Sequence, residues 1–172
     1  MTEQMLSRFV AARRKYIASQ FVSLNDMQRE EMLALGVRMS LSPVADIATD
    51  PRWGRVEETY GEDPYLTGMI ADAFIRGLQG DDENGYYKTI STAKHFLGNN
   101  SEQNRHNGSS NIDERDLREY YTKAFKYVVE ESDVGSIMTA YNAVNGVPMS
   151  VNEPILDDML RRTWGFDGFV VT

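Results

Sequence analysis

The sequence has no cysteine, which excludes disulfides and leaves its redox compartment unread. Its only histidines are His95 and His106, and no Cys/His cluster exists, so neither a metal nor any other cofactor is expected. Positive charge is in the minority: 18 Lys and Arg face 26 Asp and Glu, a net charge of −8. A nucleic-acid binder needs a basic stripe, and none occurs. The negative balance argues for solubility and weak affinity for anionic surfaces, so neither nucleic acid nor membrane is expected as a partner. No apolar run approaches membrane-spanning length. The opening text, MTEQMLSRFVAARRKY, lacks the apolar core of a signal peptide. A natural start there implies the cytoplasm; a longer parent leaves periplasm or secretion open. Internal repeats and low-complexity tracts are absent too.

What is present is ordinary globular text, 41% hydrophobic and 26% charged, enough for one domain. A complete eight-stranded α/β barrel takes roughly 250 residues, so 172 falls well short.

Strand-like and helix-like segments alternate along the chain. Residues 2–36 read as a weakly patterned helix, favoured by the run from Ala11 to Lys15 and stopped by Gly36. Val37 to Ser42 reads as a buried strand ended by Pro43. After a loop, Asp63 caps a helix with Pro64 in its first position. Leu66, Met69, Ile70, Ala73, Phe74 and Leu78 recur at helical spacing, and Gly80 closes it. Thr89 to Ala93 is a second strand, running into Lys94 and His95. The loop GNNSEQNRHNGSSN is polar and expected to be flexible. Asp113 opens the clearest helix, with Leu117, Tyr120, Tyr121, Ala124, Phe125, Val128 and Val129 on one face. Val134 to Ala140 is a third strand, Asn145 and Gly146 a turn, and Asn152 and Pro154 start a short helix. Gly168 to Thr172 is a fourth strand.

This βα repetition implies parallel strands joined by crossovers. Period alone does not separate an open sheet from a barrel. Polar residues crowd the C-terminal ends of the strands: Asp46 and Arg55 after the first, Lys94 and His95 on the second, Tyr141 and Asn142 after the third. In βα barrels that edge carries the active site.

The residues there admit several chemistries. Arg55 can donate a fork of hydrogen bonds to vicinal oxygens, and Trp53 can pack on a flat apolar face. Equally, the DPRWGR loop can be pinned by arginine pairs with Glu57, Glu58, Glu62 or Asp63. Lys94 can be a charged donor, or a desolvated Schiff-base nucleophile as in a lysine-dependent aldolase. It can also snorkel outward while His95 is satisfied in the core.

Five segments, in order, resemble glycoside hydrolase family 3: SPVADIATDPRWGRVEETYGEDPYL, STAKHFLGNNSEQNR, IDERDLREYY, SIMTAYNAVNGVP and LRRTWGFDGFVVT. The resemblance covers roughly residues 35–172, and residues 1–34 match it poorly. It implies a partial (β/α)8, TIM-like barrel domain over 35–172 behind a helical N-terminal segment. It implies β-glucosidase or β-xylosidase activity in the parent, cleaving terminal non-reducing β-D-glucosyl or β-xylosyl residues of oligosaccharides or aryl and alkyl glycosides with retention. Arg55, Lys94 and His95 would hydrogen-bond hydroxyls of the first sugar, with Met138 and Tyr141 lining the pocket. Asp46 and Glu57 would hold the arginines. The family's nucleophilic aspartate follows a strand like GFVVT and is expected just after Thr172; the acid/base lies in a later domain. On this reading the chain alone turns over little or nothing. The alternatives are a non-catalytic sugar-binding piece or an inactive scaffold, and open strand edges offer a route to self-association.

Overall fold

The computed structural model describes residues 25–80 and 85–172. Most of the helix expected over 2–36 therefore lies outside the described residues. Its last part, α1 (residues 25–34), is helical and ends before Gly36 in left-handed backbone, φ 78°.

Strand β1 (Met39–Ser40) is shorter than the six-residue run VRMSLS suggested. The chain nevertheless keeps alongside its neighbour. Ile90 N bonds Arg38 O at 2.9 Å, Thr92 N bonds Ser42 O at 2.9 Å, and Lys94 N bonds Pro43 O at 3.0 Å. Pro43 has no N–H to donate, and the return bond to Lys94 O comes from Ala45 N.

Helix α2 (Pro64–Gln79) begins where Asp63 Oδ1 accepts Tyr65 N and Leu66 N, at 2.8 and 2.9 Å. Its buried face shares only Ala73 and Leu78 with the stripe read in the sequence. Thr67, Gly68, Ala71, Ile75 and Leu78 face inward, while Leu66, Met69, Ile70 and Phe74 are only half-buried. Small residues win the inner face because the next helix lies so close: a Cβ on Gly68 would meet Tyr127 Cβ at 3.0 Å. Gly80 ends α2 at φ 63°. A Cβ there would press on the Arg29 guanidinium at 2.8 Å, which itself bonds Gly77 O.

Strand β2 (Ile90–Phe96) follows, then the two-residue β3 (Ser109–Ser110). The helix at Asp113 is broken up: a turn Glu114–Asp116, a π-wound segment Leu117–Tyr121, then α3 (Lys123–Ser132). Thr122 N reaches back to Leu117 O at 3.0 Å, which inserts an extra residue into the winding. Strand β4 (Ser136–Thr139) leads into a hairpin of β5 (Ala143–Val144) and β6 (Val147–Pro148). Asn145 and Gly146 form its turn at φ 51° and 85°, the left-handed pair that a two-residue hairpin loop needs. The segment Pro154–Thr163 is again π-wound, and β7 (Phe169–Val171) closes the described chain.

Strands β1, β2, β4 and β7 form one sheet in the order β1-β2-β4-β7, every pair parallel. The barrel is not closed: β1 and β7 are edges. A smaller sheet, β3-β5-β6, was not foreseen, because two-residue strands carry no readable alternation. The core lies between the large sheet and its helices. Phe96 and Phe125 meet edge-on at 5.1 Å, with Trp164 5.9 Å from Phe96. Truncating either buried phenylalanine would cost roughly 3–5 kcal/mol.

One irregularity positions the site. Lys94 pairs with Met138, but Phe96 pairs with Thr139, so β2 uses two steps where β4 uses one. Residues two apart normally share a face. The bulge breaks that rule: Phe96 is fully buried under the helices, while Lys94 stays half-exposed beside half-exposed Met138.

Candidate active site

The loop after β1 is drawn under β2 by a bond from Ala45 N to Lys94 O at 2.7 Å. This delivers Asp46 to His95. One carboxylate oxygen, Asp46 Oδ2, accepts both the His95 backbone N–H at 2.9 Å and a bond from His95 Nδ1 at 2.8 Å. Burial pushes the Asp46 carboxyl pKa up, and the bonds from His95 oppose that rise.

The other ring nitrogen, His95 Nε2, lies 3.1 Å from Arg55 Nη1. Arg55 is 19% exposed. Its remaining edge grips Glu58, with Nε on Oε1 and Nη2 on Oε2, both at 2.7 Å. The short helical turn Val56–Glu58 sets that spacing. Glu58 is held below its usual carboxylate range, first by the bonds from Arg55. After these bonds Nη1 and Nη2 each keep a second N–H, the raw material for gripping a hydroxyl.

Lys94 sits on the strand beside this group. Burial first, then the positive charge of Arg55, hold its pKa below the ordinary lysine value; Glu58 and Asp46 pull the other way. Met138 lies directly across from Lys94 in register, and Val171 across from Met138.

The five residues singled out by sequence are not equally assembled. Arg55 and His95 are bonded, and Lys94 and Met138 are register neighbours. Tyr141 stands apart on the rim, 56% exposed. Its ring lies 4.8 Å from His106 and 5.6 Å from the Arg105 guanidinium. No bond joins it to the other four among the described residues.

Several acidic assignments need correction. Asp46 holds His95 through its hydrogen bonds rather than an arginine. Glu58, not Glu57, holds Arg55, and Asp50 holds Arg52. Asp63 is spent on capping α2. Trp53 is buried rather than offered as a platform, its Nε1 donating to Glu102 Oε1 at 3.0 Å. Glu102 also takes Arg105 at 2.8 Å, and Asn100 bonds Ile47 O, so the polar loop is pinned rather than loose. The i, i+3 spacing of Arg55 and Glu58 was the available sequence signal for that pair. Nothing local signalled Glu102, which is far from Trp53 in sequence. Among the described residues no three His, Asp or Glu side chains converge as a metal cage, and no helix is long and apolar enough to cross a membrane.

Parallel strands with crossover helices, an unclosed barrel wall, and cationic side chains at the C-terminal strand edge define a barrel-type α/β module with a polar strand edge. Residues 11–172 match the glycosyl hydrolase family 3 N terminal domain, and the chain belongs to that family. It is 47% identical over 146 residues to a β-xylosidase of Formosa agariphila, covering 83% of this chain and 20% of that protein. It is 39% identical over 143 residues to probable β-glucosidase K of Aspergillus fumigatus, covering 83% and 18%. Among solved structures, β-glucosidase 3B of Thermotoga neapolitana in complex with glucose superposes with a TM-score of 0.83 at 37% identity, covering 89% of this chain and 21% of that one. The chain thus spans about a fifth of the length of these relatives.

Proposed function

We propose that this chain supplies the sugar-gripping wall of a retaining β-glycosidase site for terminal non-reducing β-D-glucosyl or β-xylosyl residues. One observation carries the reading: Arg55 is clamped between Glu58 and His95, with free N–H groups beside Lys94 at the barrel's catalytic edge. Sugars are neutral polyols, and charged donors make the stronger hydrogen bonds to their hydroxyls. Met138 and Tyr141 would supply the apolar side of the pocket. Residues 35–172 form the partial barrel domain on this reading, preceded by the segment 1–34, although the family match itself begins at residue 11.

Hydrolysis with retention needs two carboxyl groups about 5–5.5 Å apart. One attacks the anomeric carbon as the other protonates the leaving oxygen; water then breaks the glycosyl ester. Asp46 and Glu58 are already engaged with His95 and Arg55, so neither is free for attack. A carboxylate following Thr172 would fall opposite Ala140 if the register of β7 on β4 continues, on the same strand face as Val171 and its partner Met138. That position suits the nucleophile. A sugar-binding piece without turnover is the second reading, supported by the same engagement of both site carboxylates. The Schiff-base reading draws no support from the family and suits a half-exposed Lys94 poorly.

A thermal melt of the chain across glucose and xylose concentrations tests the binding claim, since a ligand of the native state raises stability. A rise in Tm that Lys94→Ala abolishes supports it. A cooperative transition indifferent to both sugars overturns it. Hydrolysis of an aryl β-glucoside separates the two readings.

A further inference from the structure

We infer that Asp46 is a positioning residue that fixes the tautomer of His95 and, through His95, aims the Arg55 fork. The inference rests on the sugar-gripping role proposed above, but its physical basis is independent of any ligand.

Arginine has no acceptor. The 3.1 Å contact between Arg55 Nη1 and His95 Nε2 therefore needs a lone pair on Nε2. The ring proton must then sit on Nδ1, which faces Asp46 Oδ2 at 2.8 Å. A carboxylate oxygen accepts, so both ends of the ring agree. Hydrogen bonds run in one direction, from Arg55 to His95 to Asp46. The opposite tautomer would set an N–H of His95 against an N–H of Arg55.

Two features make the lock firm. The same Oδ2 also holds the His95 backbone N–H at 2.9 Å, so the carboxylate cannot swing off the ring without leaving a buried donor unpaired. The side chains of Asp46 and His95 are 1% and 7% exposed, so bulk water is a poor substitute. Arg55 is then held at two points, by His95 on one side and Glu58 on the other. Removing Asp46 leaves only the Glu58 anchor firm, and the free N–H groups lose their direction.

The double duty of Oδ2 gives an uncommon expectation. In Asp46→Asn the backbone N–H of His95 is a fixed donor, so the amide must turn its oxygen to that spot. The oxygen then still accepts from Nδ1–H. Asp46→Asn should keep the tautomer, and Asp46→Ala should lose it.

Nitrogen-15 spectra of the imidazole read this directly. Only His95 and His106 are present, and His106→Gln assigns the signals. The expected result is the Nδ1–H pattern for His95 in the wild type and Asp46→Asn, with conversion or averaging toward Nε2–H in Asp46→Ala. Glucose Kd, from melts in the same samples, should weaken about tenfold in Asp46→Ala, the scale of one lost hydrogen bond from a charged donor, with Asp46→Asn within a few-fold of wild type. An Nε2–H pattern in the wild type overturns the inference, as does an unchanged tautomer in a folded Asp46→Ala. If Asp46→Ala does not fold, Arg55→Ala decides: Asp46 then alone holds the ring proton on Nδ1, so a persisting Nδ1–H pattern supports the lock and a change to Nε2–H overturns it. A wild-type Nδ1–H pattern without sugar binding would sink the sugar-gripping role alone; sugar binding with Nε2–H would sink the tautomer lock alone.

Discussion

The two ends of the DPRWGR loop carry the same pair chemistry and differ in what lies behind it. Arg52 grips Asp50 at 2.5 Å and is 88% exposed. Arg55 grips Glu58 at 2.7 Å and is backed by His95 and buried Asp46. The exposed pair pulls the Asp50 pKa down to about 2 through its bonds with Arg52, yet it fixes only its own turn, Asp50 Oδ1 also accepting the Arg52 backbone N–H at 2.9 Å. The inner pair is one link in a relay anchored on a seven-residue strand. Local ion-pair geometry therefore does not tell which arginine serves a site; burial and the next partner do. The same contrast separates the inner edge from the outer rim, where Tyr141 is held by ring contacts in water.

The largest expected break comes from Lys94→Ala. In a catalytically competent form of the protein, kcat/KM should fall on the order of 100-fold with far-UV dichroism unchanged, because a charged donor to a hydroxyl is lost. Wild-type kinetics would remove Lys94 from the inner edge.

The rim should break structurally instead. Asn145 bonds Ile112 twice, Oδ1 from its N–H and Nδ2 to its carbonyl, both at 2.8 Å. Its φ is 51°. Asn145→Ala loses both bonds and strains the turn, at about 2 kcal/mol. Denaturant melts measure that loss, and sugar affinity per folded molecule should change little. A strong loss of affinity would mean rim and edge form one unit.

Arginine swaps sharpen the comparison within the loop. Arg55→Lys turns a fork into a point charge and should weaken sugar binding about tenfold. Arg52→Lys should leave binding unchanged. Equal effects in a titration would refute the distinction.

The smallest effect is a pH dependence. The folded pKa of Glu58 is lowered, so its pairing stabilises fully above the ordinary carboxylate range. That contribution is lost as pH falls through the lowered folded value. Wild type should outmelt Glu58→Gln near neutrality, and the gap should close in acid. A gap that persists in strong acid would place the stabilisation elsewhere.

Much of this was legible in the chain. Asp63-Pro64 and Gly80 marked both ends of α2, Asn145-Gly146 marked the hairpin turn, and four apolar runs marked the parallel strands. The small sheet, the π-wound segments and the true inner face of α2 were not legible. Strands of two residues leave no period, and which helical face is buried depends on how closely a neighbour packs.

The sequence by itself determined the βα order and the residue types at the strand ends, because turn chemistry and hydrophobic period are local. Only the tertiary structure decided which charges meet. Asp46 and His95 are separated by a full helical excursion, and the bulge that parts Lys94 from Phe96 exists only when β2 lies against β4. Which atoms pair across such distances is set by packing of the whole sheet, and no short stretch of sequence contains it.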